Sequence, residues 1–196
     1  GLALSLLSRN SHDALALLAR GEAEMAVVEG PLDEVRLPPG VEATPLTTDV
    51  IVLACAPGDP LAASGPIAPA ALTGLGLVRR ERGSGTREIV DRALERVGVA
   101  PVTRLEVTGV AAVVAAVRSG LAPGFVSRLA IAEDLAAGRL VEVEVTGVRL
   151  TRSFTCVAPP DDLSSPAARA FLEELRRYAA GTAPDGSPSA PAAGRG

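Results

Sequence analysis

The sequence has no lysine, no tryptophan and a single histidine among its 196 residues. Without lysine there can be no P-loop lysine, no Schiff base and no Ser–Lys pair. His12 falls in the first turn of an expected helix, and no G-x-S-x-G stands elsewhere. A nucleophile–His–acid triad is therefore not expected. Aromatic residues make up 2% of the chain, so any core must come from Leu, Val, Ala and Ile. With a net charge of -4 and no basic face, the chain is a poor nucleic-acid binder by itself. The two cysteines, Cys55 and Cys156, lie far apart, each in an apolar run without a second Cys or a His at ligand spacing. They read as buried thiols of a cytoplasmic protein, not as a metal site. No apolar run approaches the ~18–20 residues of a membrane span. The opening "GLALSLL" lacks a basic leader and a cleavage site, and its first residue is Gly, so the chain reads as a fragment. "GLG" at 74–76 precedes a strand where a dinucleotide fingerprint would open a helix. No catalytic residue, metal ligand or cofactor is expected, and an enzyme is not the expectation.

What is present is 47% hydrophobic sequence, enough for one core or for two small lobes. Apolar periodicity alternates between strand and helix spacing. "LALSLL" (2–7) reads as a buried strand, "NSHDALALLARG" as a helix capped by Asn10 or Ser11, and "EMAVVEGP" as a strand. Strand–helix–strand is the pattern of a parallel α/β sheet. Strands follow at "VEATPL", 49–57, 75–79, 103–107, 124–126, 140–145 and 152–160. Helices follow after Thr86, over 109–120, over 128–138, and after a Ser165 cap with Pro166 at the first helical position. Asp161 and Asp162 read as a solvated turn, Glu133 and Asp134 as an exposed helix face. Residues 181–196 have no periodicity and are expected to be disordered.

The stretch "RERGSGTRE" (80–88) joins a strand to an amphipathic helix. A helix start exposes unpaired N–H groups and about half a positive charge. Gly83 and Gly85 allow close approach, Ser84 and Thr86 add hydroxyls, and Arg80, Arg82 and Arg87 raise the local potential. The stretch is either a binding place for a small anion or a Ser84-capped helix without a ligand. A second helix start, at Thr108 and Gly109, also follows a strand, and ligands of open α/β sheets gather at such strand ends.

The pieces "GEAEMAVVEGP", "VIVLACAPGDPLA", "LVRRERGSGTREIVDRALERVG", "AVRSGLAPGFVSRLAIAEDLAAGRLV" and "SPAARAFLEEL" occur in order along residues 1–178. Together they resemble the effector-binding domain of LysR-type transcriptional regulators. "RERGSGTR" is most similar to the branch that regulates carbon fixation and sulfur or nitrogen assimilation. The resemblance implies a type-II periplasmic-binding-protein-like α/β fold, two Rossmann-like lobes joined by two crossover strands. Lobe I would be 1–52 with 142–178, lobe II 53–141, with 179–196 as a tail. It implies a small, anionic metabolite as effector, bound between the lobes by Ser84, Gly85 and Thr86, then Thr108 and Gly109, then Glu29 and Pro31. It implies a cytoplasmic homodimer or homotetramer that contacts DNA only through a winged helix-turn-helix. That segment, the linker helix and the domain's first strand and helix are expected to be missing. The family's second helix start usually carries Ser or Thr where this chain has Gly109 and Val110. Cys55 and Cys156 would lie on or near the crossovers, which reopens a disulfide. The alternative function is a free-standing solute-binding protein of the same fold.

Overall fold

A computed structural model describes residues 4–29, 37–160 and 163–181. Its elements run α1 Ser11–Ala19, β1 Ala26–Glu29, β2 Glu42–Cys55, β3 Gly76–Arg80, α2 Gly85–Arg96 and β4 Val102–Val107. There follow α3 Val110–Arg118, β5 Gly124–Ser127, α4 Ala132–Ala136, β6 Val141–Val143, β7 Leu150–Ala158 and α5 Pro166–Gly181. Pro31, Asp161, Asp162 and residues 182–196 lie outside the described residues.

The strands form one open sheet in the order β1-β7-β2-β5-β3-β4, with β6 also on β2. It is mixed, where the opening strand–helix–strand pattern pointed to a parallel one. β3 runs parallel to β4 and β5, whereas β2 and β7 run antiparallel to each other and to their other neighbours. The reason is β2 itself. "VEATPL" and "DVIVLACAP" are one 14-residue strand, interrupted only by a register shift between Pro45 and Thr47. Its first half pairs β7, and its second half also pairs β5 and β6.

Alternation along β2 sorts the core onto two faces. Ile51, Leu53 and Cys55 pack with Leu77, Val90, Leu94 and Phe125 beneath α2. Val52 and Ala54 pack with Val78, Val113, Val117 and Ile131 beneath α3. Each fully buried aliphatic side chain contributes about 1.5–3 kcal/mol. At the other end α1 covers Val28 and Val157, and α5 covers Cys156 and Ala158. β5 passes so close to β3 that a Cβ on Gly124 would lie 2.9 Å from the Val78 carbonyl oxygen.

Several expectations are corrected. Residues 4–7 form no strand, and Leu6 is 87% exposed. An apolar run is buried as a strand only where a ladder partner receives it, and among the described residues β1 pairs with β7 alone. Asp134 is buried, not exposed, because Arg139 and Arg118 turn in to pair with it. The helix expected over 128–138 is a 3-10 turn followed by the short α4. The cysteines are not neighbours. Cys156 sits opposite Thr44 and Cys55 opposite Val141, eleven residues apart on β2 and therefore about 36 Å. Both thiols are free and buried.

Candidate functional site

The sheet delivers β3 and β4 side by side, with Arg80 opposite Val107. Each strand therefore ends at the start of a helix in the same region of the molecule.

The first helix start is built around Ser84. Its backbone is extended, in the position from which a serine normally caps a helix, yet its hydroxyl makes no capping bond to α2. The residue is 1% exposed, and among the described residues its Oγ has no hydrogen-bond partner. Asn10, by contrast, caps α1 by accepting from Asp13 N at 2.9 Å, and Ser165 accepts from Ala168 N at 3.1 Å. A buried hydroxyl without a partner costs about 1–3 kcal/mol, so Ser84 stands out among the helix starts of this chain.

Glu29, at the end of β1, closes against this turn. A Cβ on Gly85 would lie 3.1 Å from the Glu29 carbonyl oxygen, so glycine is what lets the two backbones meet. Thr86 donates its hydroxyl to Glu29 Oε2 at 3.2 Å. Ser11, at the head of α1, donates to the Glu29 carbonyl at 3.2 Å and accepts from the Glu29 amide at 3.1 Å. Ser84, Gly85, Thr86 and Glu29 are thus brought together from β1 and the β3–α2 turn, although 57 residues separate Glu29 from Thr86.

Behind them lies a charged group that sequence reasoning missed. Arg152, on β7, donates to Thr86 Oγ1 at 2.7 Å and forms an ion pair with Glu29. Its Nε and Nη2 both reach Asp49 Oδ2 at 2.9 Å. Its guanidinium stacks 4.7 Å from the centre of the Phe154 ring. Arg152 and Asp49 are buried, and Asp49 also accepts from Leu129 N at 3.4 Å. A signal was available: in "LTRSFTCV" the arginine occupies the same strand face as Leu150, and Asp49 immediately precedes an apolar run.

The second helix start is arranged differently. Thr108 is exposed, and the Gly109 amide donates to Glu81 Oε2 at 3.3 Å. Glu81 is held in turn by the Arg80 guanidinium through two bonds of 2.8 Å. The Arg80 hydrogen bond, helped by the Gly109 amide, holds the Glu81 carboxyl down to about 2. The α3 start already has an internal carboxylate. Of the arginines expected to raise the potential, Arg87 is likewise engaged, with Glu106 at 2.6 Å and Asp91 at 3.5 Å. Arg82 is exposed. Among the described residues no cluster of three His, Cys, Asp or Glu could hold a metal ion.

The LysR substrate binding domain model matches residues 1–180. The chain belongs to the LysR substrate-binding domain family. One relative is the RuBisCO operon transcriptional regulator of Acidithiobacillus ferrooxidans, 30% identical over 97% of this chain and 60% of that protein. The Phosphonates import ATP-binding protein PhnC of Anaeromyxobacter dehalogenans is 34% identical over 90% of this chain and 35% of that protein. Among solved structures, the regulatory domain of Synechocystis CcmR, in complex with 2-PG, superposes with a TM-score of 0.75 at 21% identity. That superposition covers 89% of this chain and 82% of the other, and shows that the α/β architecture is the LysR effector-domain fold. The chain spans about half the length of the curated regulators it matches. No helix among the described residues is long and apolar enough to cross a membrane.

Proposed function

We propose that this LysR-family domain senses a small anionic metabolite and, within an intact regulator, passes its occupancy to DNA-binding heads. The supporting observation is the buried Ser84 hydroxyl, without a partner at a helix start that no side chain caps. An anion placed there accepts from that hydroxyl and from the free N–H groups of the first turn of α2. It lies between Ser84, Gly85 and Thr86 on one side and Glu29 on the other; Pro31, the remaining expected contact, lies outside the described residues. Thr108 and Gly109 are the second contact, reached when Glu81 releases the α3 start. In this reading the anion sits between lobe I (1–52 and 142–178) and lobe II (53–141), with β2 and β7 as the crossovers. Its binding shifts the population of lobe arrangements, which the regulator reads as a homodimer or homotetramer in the cytoplasm. The CcmR regulatory domain lends support, because it pairs this fold with a bound ligand, 2-PG.

The test is thermal melting against phosphorylated sugars, carboxylates, sulfate and nitrite. A ligand that binds only the folded state raises the melting temperature. Ser84→Ala removes an unsatisfied hydroxyl, so it leaves stability unchanged or higher while abolishing the ligand-induced shift. If no anion raises the melting temperature of the unaltered chain, the reading fails.

The match to an import ATP-binding protein favours a second reading, a solute sensor coupled to transport. The coding sequence adjoining this chain separates the two: a winged helix supports the regulator, an ATPase domain or a secretory signal the transport role.

A further inference from the structure

The anion site at the head of α2 is next to a carboxylate. Glu29 packs its backbone on Gly85 and receives the Thr86 hydroxyl, and its side chain is 25% exposed. Arg152 does not cancel this charge, because it also pairs with the fully buried Asp49. Two carboxylates against one guanidinium leave the group one negative charge in excess. Glu29 uses Oε2 for both Thr86 and Arg152, and among the described residues its Oε1 has no partner. The second pointer to a ligand is a buried side chain: the Ser84 hydroxyl is enclosed, and among the described residues nothing accepts from it or donates to it.

Because Glu29 lies against the same turn through Gly85 and Thr86, a ligand at Ser84 has the donors of the turn and a carboxylate beside them. A bare anion gains from the first and is repelled by the second. An anion with a hydroxyl or ammonium group one or two bonds from its charged end satisfies both, since that group can donate to Glu29 Oε1.

We infer that Glu29 is a specificity-determining residue, selecting small anions that carry an adjacent hydroxyl or ammonium donor over anions that carry none. The inference rests on the proposed anion site and adds the chemical class of its ligand. Arg152 acts as a positioning residue, holding the carboxylate toward the turn while Asp49 holds the guanidinium.

The experiment is isothermal calorimetry on the full 196-residue chain with two matched series. One is propionate, lactate and alanine; the other is methylphosphonate and aminomethylphosphonate. In at least one series the donor-bearing member is expected to bind tenfold or more tightly than its plain counterpart. In Glu29→Gln that preference is expected to fall below threefold, mainly because the plain anion binds better. The comparison within the unaltered chain needs no variant, so it stands even if Glu29→Gln fails to fold. Equal binding of the matched members overturns the inference and leaves the anion site intact. A preference that survives unchanged in a folded Glu29→Gln also overturns it. If no member of either series binds, the proposed anion site fails, and the inference with it.

Discussion

Replacing Arg152 with Met keeps its bulk and removes its charge. The consequence follows from burial. The Arg152 side chain is 2% exposed and that of Asp49 fully buried. Arg152→Met leaves Asp49 with one donor among the described residues, the Leu129 amide at 3.4 Å. Breaking a buried ion pair from one side costs about 3–5 kcal/mol, because the surviving charge is uncompensated. For a domain of this size 1 kcal/mol moves the melting temperature by roughly 2–4 °C, so the expected fall is roughly 6–20 °C. Glu29 adds little to this sum, since water screens its partly exposed carboxylate. Adding Asp49→Leu to Arg152→Met replaces the pair with apolar groups and recovers most of the loss, because the desolvation cost of both ions disappears as well. Urea denaturation of the three proteins measures both steps. A loss below about 1 kcal/mol in Arg152→Met, or no recovery in the double variant, would refute the reasoning that the pair is a buried network joining β2 and β7.

Gly124→Ala is expected to cost about 1–3 kcal/mol in denaturant titrations, since the new Cβ meets Val78 O at 2.9 Å and Val117 at 3.0 Å; Gly58→Ala, with open space around it, is the near-neutral control. Glu81 has its carboxyl held down to about 2, so its contribution is complete above the unfolded value near 4.3–4.5 and is lost as pH falls through about 2. Glu81→Gln is therefore less stable than the unaltered chain at pH 7, by up to about 1 kcal/mol, and melting curves should show the difference closing as the pH approaches 2. Burial pushes the Cys55 thiol up to about 11, so labelling with a thiol reagent at pH 8 should proceed only on unfolding, and a reductant should leave the melting temperature unchanged.

Much of the architecture could be read locally. Helices α2, α3 and α5 announce themselves by apolar periodicity and by their glycine or proline punctuation, because these signals act within one or two turns of chain. The Ser84–Thr86 turn was legible for the same reason: a strand, a glycine pair and a helix start are neighbours in sequence. Asp49, Arg152 and the closure of Glu29 on Gly85 were not, since each depends on partners tens of residues away. An arginine in a strand can lie on the solvent face or the core face, and only the register of β2 against β7 chooses.

By itself, then, the sequence determined the alternation of strands and helices, the aliphatic character of the core and the polar start of α2. Local propensity and composition suffice for those. The tertiary structure alone decided that the sheet is mixed, that Cys55 and Cys156 lie far apart on β2 and β7, and that residues 4–7 stay exposed. It also decided that the two helix starts differ, α3 taking the Glu81 carboxylate while Ser84 is left without a partner. Hydrogen-bond satisfaction and charge pairing depend on which groups meet in space, and strand register and backbone approach set those meetings.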